Sequence, residues 1–315
     1  MTILWILAAL AALILLGGVA ALDYICVRHK EPDYTDPEVL RASPFAKTEP
    51  LVEAGKKWMA GQQVEFLQAV AYDGKLLSAR FIAHENAKGT LLFFHGYRSS
   101  YVIDFLGVLE FYYDLGYNLL LCDQRAHGRS EGRFITYGVR ERRDVVSWTN
   151  VIGMMFGENH PMFLVGLSMG ASTVLMASSL ELYGNVRGVL ADCGFTSPGE
   201  IIAHVAKHRM HLPAGILLPV LNVFTKAVAG FGLHEASALD ALAETKLPVL
   251  LVHGTGDRFV PCEMSRRSYE ACRSEKELLL VEGAGHGQSF VVEPERYKKT
   301  VVAFLEKHLT DGENG

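Results

Sequence analysis

Five residues, Gly166-Leu167-Ser168-Met169-Gly170, fit the pattern G-x-S-x-G. A serine in this setting can act as a nucleophile when it sits on a sharp turn from strand to helix. Glycine two positions to either side lets neighbouring backbone pass closely, and the helix N-terminus sets a positive dipole beside a developing oxyanion. The apolar run 162–167 precedes Ser168, and the small residues Ala171, Ser172 and Thr173 open the next segment, which is that setting. A serine hydroxyl is a poor nucleophile at neutral pH without an adjacent base. His286, in the loop Gly283-Ala284-Gly285-His286-Gly287, is the candidate base, because the glycines let its ring project over a sheet edge. The base in turn needs a carboxylate to fix its tautomer and stabilise its cation. Asp257, in His253-Gly254-Thr255-Gly256-Asp257, is the first choice, and Asp192, after the preceding strand, is the rival acid.

These residues need a scaffold that brings them to one rim. Residues 64–70 and 76–83 read as two strands joined by the turn Asp73-Gly74. Short runs that are apolar at nearly every position then recur at 90–94, 118–122, 162–167, 186–191, 249–252 and 277–281. Such runs suit strands buried on both faces of a parallel sheet. Helical stretches fall between them, at 102–115, 140–151, 171–182, 263–272 and 296–308. The alternation predicts one α/β domain with an eight-stranded, mostly parallel sheet flanked by helices. Residues 195–239 break the rhythm with two helical candidates, 199–210 and 214–231, the second apolar nearly all round. An insertion of this kind is expected to fold over the carboxyl end of the sheet as a cap, with an underside that favours a substrate with an apolar portion.

With these motifs the chain resembles the α/β-hydrolase superfamily over about residues 58–309. Within it, the chain is most similar to the bacterial serine hydrolases grouped with serine-aminopeptidase-like and prolyl-oligopeptidase-like members. The resemblance rests on Asp73-Gly74-Lys75-Leu76, His95-Gly96-Tyr97, the stretch 123–130, the Ser168 turn, and the Asp257 and His286 loops. It implies an α/β-hydrolase fold and the triad order Ser168, Asp257, His286. It further implies an oxyanion hole from the backbone N–H groups of Tyr97 and Met169, with His95 buttressing the loop. One position departs from the family pattern: Ala126 stands where glycine is usual, so the local backbone there is open to change. The implied chemistry is cleavage of a carboxylic ester, thioester or amide through an acyl-enzyme. An acyltransferase with the same triad, or a binding protein on a retained fold, are the alternatives.

The N-terminus reads differently. Residues 3–22 carry no charge, and as a helix they would span roughly 30 Å, enough to cross the hydrocarbon of a bilayer. A cleaved signal peptide is the rival, weakened by the missing basic n-region. Arg28 and Lys30 follow the span, which places the bulk of the chain on the cytoplasmic side. Residues 1–30 are therefore expected as a membrane anchor, 31–50 as a proline-rich, semi-extended linker, and 51–315 as the hydrolase domain. On this reading, removal of residues 1–30 leaves a soluble, active enzyme.

Composition excludes other classes. Half of the 315 residues are hydrophobic, and 30 Lys and Arg against 35 Asp and Glu give a net charge of −5 without a basic block, which argues against a nucleic-acid partner. Five cysteines form no CxxC pair, so neither a disulfide scaffold nor a zinc cage is expected. His204, His208 and His211 share a predicted helix face, but H-E-x-x-H is absent and no metal is expected there. No G-x-G-x-x-G follows the first parallel strand, so no dinucleotide or other cofactor is expected.

Overall fold

The computed structural model describes residues 1–30, 32–43 and 45–310. Pro44 of the expected linker and the tail 311–315 assigned to the domain lie outside the described residues. The expected strands are all present, as β1 (Val64–Val70), β2 (Leu76–Ile82), β3 (Thr90–Phe94), β4 (Asn118–Asp123), β5 (Pro161–Leu167), β6 (Asn185–Asp192), β7 (Val249–Gly254) and β8 (Lys276–Val281). They form one sheet in the order β1-β2-β4-β3-β5-β6-β7-β8. β1 and β2 pair antiparallel, β2 runs antiparallel to β4, and every pairing from β4 to β8 is parallel.

The reason for the uninterrupted apolar runs is visible in β3, β4 and β7, which are buried at every residue. Side chains alternate across the sheet: Leu92 and Phe94 enter the hydrophobic cluster on one face, while Leu91 and Phe93 enter the cluster on the other. β3 has β4 on one side and β5 on the other. The chain thus reverses its winding direction between β3 and β5, and loops leaving their carboxyl ends diverge to open a crevice.

Among the described residues, eight helices have nine residues or more: α1 (Thr2–Cys26), α2 (Glu49–Met59), α3 (Glu141–Phe156), α4 (Met169–Ala177), α5 (Pro198–His208), α6 (Ala214–Phe224), α7 (Cys262–Ala271) and α8 (Pro294–Thr310), which closes the domain. The expected single helix over 102–115 is three short pieces, Tyr101–Asp104, Leu106–Val108 and Leu109–Asp114. The break comes at Phe105, which leaves helical geometry (φ −133°, ψ −23°) and packs its buried ring 5.1 Å from that of Phe93. The 195–239 insertion supplies α5 and α6, followed by a π-turn over Thr225–Ala229.

Two expectations about the N-terminal region are corrected. The proline-rich stretch is not extended. Pro37 and Pro50 each stand in the first turn of a helix, where the missing N–H is no loss. The Asp36 side chain accepts from the Glu38 amide at 2.8 Å, and Leu40 is fully buried. Nor does α1 stand apart from the domain. Gly18, Leu22, Ile25 and Cys26 form one buried face, and the last three join the main hydrophobic cluster. The last-turn carbonyls, which a helix cannot satisfy itself, find partners in the domain. Tyr24 O accepts from Arg98 at 2.7 Å, Ile25 O from the hydroxyls of Tyr97 and Tyr137 at 2.8 and 3.1 Å, and Cys26 O from the Ile135 amide at 2.7 Å.

Candidate active site

Ser168 caps α4 with φ 56° and ψ −116°, a conformation an L residue holds only when its surroundings force it. The surroundings do so by close approach. A Cβ at Gly170 would fall 1.7 Å from the Phe94 carbonyl oxygen, and one at Gly166 would fall 2.3 Å from that of Gly170. The turn is tied across the sheet as well, since the Ser168 amide donates to the Asp192 carbonyl at 2.8 Å.

Three of the sequence-predicted side chains meet in one line. Ser168 Oγ stands 2.9 Å from His286 Nε2, and His286 Nδ1 stands 2.7 Å from Asp257 Oδ2. A carboxylate can only accept, so Nδ1 carries the ring proton and Nε2 faces the serine hydroxyl as an acceptor. Asp257 Oδ1 accepts the amides of Phe259 and Val260 at 2.8 and 3.0 Å. Burial by itself would raise the Asp257 carboxyl. Hydrogen bonds from His253 and His286, the imidazole charge and the Phe259 amide outweigh it and hold the group well below the ordinary carboxylate range.

Nothing in the sequence marks His253 beyond its place four residues before Asp257; the structure gives it a contact. Its Nε2 lies 3.2 Å from Asp257 Oδ2 and 3.0 Å from the Val260 carbonyl, so that nitrogen bears the proton, while Nδ1 accepts from the Ser265 hydroxyl at 2.6 Å. The rival acid, Asp192, points elsewhere. Its carboxyl is buried, contacts the Ser289 hydroxyl at 3.4 Å, and is pushed up to about 7 chiefly by loss of water, against the opposing pull of His253 and His286.

The loop after β3 is held from several sides. His95 donates through Nδ1 to the Gly96 carbonyl at 2.9 Å and accepts the Gln124 amide at Nε2, 3.1 Å away. The Gly96 amide donates to Asp104 Oδ2 at 2.6 Å, the Ser99 hydroxyl donates to Asp104 Oδ1 at 2.8 Å, and the Arg98 amide donates to His127 Nε2 at 3.0 Å. Tyr97 therefore stands between two anchored amides. A Cβ at Gly96 would lie 3.3 Å from Ser168 Cβ, which sets the loop directly against the nucleophile turn. Met169 is the first residue of α4, so its N–H has no acceptor in its own helix. Asp104 carried no signal in the sequence, being one acid in a stretch read as continuous helix. At Ala126 the backbone keeps the left-handed conformation a glycine would take, with φ 60°.

Ser168 opens into a cavity of about 330 Å³. Ile201 and Val205 of α5, Leu217 of α6 and Phe259 form its apolar sides, and Tyr24 and Ile25 of α1 complete the wall. Of the three histidines considered for metal ligation, His204 and His208 have ring centroids 4.7 Å apart with planes tilted by 34°, and His211 falls beyond the end of α5 with φ 55°.

The model of the alpha/beta hydrolase family matches residues 91–300. Among curated proteins, the chain is 30% identical to the uncharacterized protein YqkD of Bacillus subtilis over 241 residues, 76% of this chain and 77% of that one. It is 25% identical to the uncharacterized protein YfhR of Escherichia coli K12, over 74% of this chain and 75% of that one. Among solved structures, the Pyrococcus furiosus esterase Pf2001 aligns with a TM-score of 0.65 at 23% identity, covering 83% of this chain and 94% of that one. The Pyrococcus horikoshii acylaminoacyl peptidase aligns with a TM-score of 0.58 at 16% identity, covering 81% of this chain and 43% of that one.

Proposed function

The chain belongs to the alpha/beta hydrolase family, and from that premise we propose that it is a membrane-anchored serine hydrolase that cleaves a carboxylic ester, thioester or amide through an acyl-enzyme. The observation that carries the reading is the 2.9 Å contact between Ser168 Oγ and His286 Nε2, on an imidazole whose other nitrogen is bound to an ionised Asp257. Ser168 attacks the carbonyl carbon while His286 Nε2 takes its proton. Asp257 holds the ring and offsets the imidazolium charge. The amides of Tyr97 and Met169 receive the oxyanion, each such donor being worth about 3 kcal/mol in the transition state. His286 then returns the proton to the leaving group. In the second half it activates water, which clears the acyl group from Ser168. No step calls for a cofactor. The esterase and peptidase structures with this fold are compatible with either kind of acyl substrate.

For the anchor, the support is the 25-residue apolar helix α1, long enough to cross a membrane by length and composition. Arg28 and Lys30 beyond it favour a cytoplasmic catalytic domain. Burial of Leu22, Ile25 and Cys26 in the domain core favours an anchor over a cleaved leader, because cleavage would strip those side chains from the core.

The test is a screen of the full-length chain against p-nitrophenyl esters of graded chain length and aminoacyl-nitroanilides, beside Ser168→Ala. Turnover that disappears in the variant is expected; turnover that survives it would remove Ser168 from the mechanism.

A further inference from the structure

We propose that the substrate is an acyl lipid, a long-chain ester resident in the bilayer, which reaches Ser168 sideways through the cavity walled by the last turn of α1 and by α6. This rests on the hydrolase and anchor readings above and adds to them the class of acyl group and its route of entry.

The first observation is that the pocket is unfinished without the membrane helix. Tyr24 and Ile25, in the last turn of α1, line the same cavity as Ser168. The nucleophile is thus reached from the level at which the apolar span ends, rather than at the far end of a tether. The second is the position of α6. A Cβ on Gly18 would fall 2.0 Å from the Phe224 ring, so α6 touches α1 eight residues before the latter's end. Measured to Leu22, where the uncharged span ends, that contact lies roughly 6 Å inside it at ~1.5 Å per residue. A helix held there is immersed at least to the headgroup and acyl boundary.

The third observation is that α6 is built for that depth. Ala214–Phe224 contains no charged residue. Leu217 faces the pocket, while Ile216 and Val223 are 70% and 63% exposed on the outside. Leu212 and Val228, flanking α6, extend the same exposed apolar surface. In water such a patch is unfavourable; beside α1 it continues the apolar surface of the span into the bilayer. An acyl chain moving from the hydrocarbon into the cavity passes Leu217, Ile201, Val205 and Phe259, while Arg98 and Arg209 are the charged residues of the wall.

The experiment uses the full-length chain in vesicles of dioleoylphosphatidylcholine with two probes, water-soluble p-nitrophenyl acetate and bilayer-partitioned p-nitrophenyl palmitate. We expect kcat/KM for the palmitate to exceed that for the acetate at least tenfold. Ile216→Asp should lower palmitate turnover at least tenfold and leave acetate turnover within twofold. Leu217→Trp, which narrows the cavity, should lower the palmitate-to-acetate ratio by about tenfold. Acetate hydrolysed as well as palmitate, or a ratio unmoved by both variants, overturns the proposal while leaving a Ser168-dependent hydrolase intact. A wild-type chain that cleaves neither probe and takes no fluorophosphonate label overturns the hydrolase reading itself.

Discussion

The Tyr97 hydroxyl donates a 2.8 Å hydrogen bond to the Ile25 carbonyl. One residue thereby joins the last turn of α1 to the loop whose amide is assigned to the oxyanion. Tyr97→Phe should cost about 1 kcal/mol of stability, read as a lowered midpoint in thermal denaturation. Its kcat should fall, because the loop loses a restraint while every triad side chain remains. A chain that starts at residue 31, expected from the sequence to stay active, should denature well below the full-length chain, since it lacks Leu22, Ile25 and Cys26 of the core.

The choice of acid is tested by two isosteric changes. Asp257→Asn should lower kcat by about 10⁴, because the His286 ring loses the partner that fixes its tautomer. Asp192→Asn should leave kcat within a few-fold, since its carboxyl is turned toward Ser289. Reversed effects would move the acid to the strand end before it.

Asp192 also sets a stability profile with a definite sign. Its carboxyl is held near 7 in the fold against an ordinary value of 3.8. Below pH 3.8 the group is neutral in both folded and unfolded chains. Between 3.8 and 7 the unfolded chain releases the proton while the fold retains it, so stability falls as pH rises. Above about 7 the loss is complete, at most about 4 kcal/mol. Denaturant melts at pH 4 and pH 8 should therefore show Asp192→Asn gaining on the wild type at the higher pH, and equal differences at both would refute the assignment.

His253 acts through Asp257 as a positioning residue. Removing its N–H from Oδ2 leaves the carboxylate less compensated and the His286 cation better stabilised. His253→Ala should move the acidic limb of the kcat/KM profile to higher pH and lower kcat about tenfold. His253→Gln, which can keep a donor, should recover much of the loss. An unshifted limb in the alanine variant would reduce His253 to packing.

What could be read from the chain was local. Gly166 and Gly170 around Ser168, and the glycine-rich loop of His286, announce their geometry in a few consecutive residues, and each follows an apolar run that had to be a buried strand. Ala126 kept the left-handed backbone that its substitution for glycine put in question. What could not be read depends on contacts between distant segments. Asp104 meets the Gly96 amide, and Phe105 leaves the helix to meet Phe93, through contacts that no local pattern announces. The docking of α1 depends on Tyr97, Arg98, Ile135 and Tyr137, more than 70 residues away in sequence. Proline density over 31–50 suggests extended chain from sequence alone, because prolines at helix starts look the same there as prolines in extended chain.

The most direct test of the central claim is covalent. The full-length chain, treated with a fluorophosphonate and digested, should carry a single phosphonyl adduct on the peptide containing Ser168, and Ser168→Ala should carry none. An adduct on another residue, or undiminished labelling of a folded Ser168→Ala chain, would contradict it.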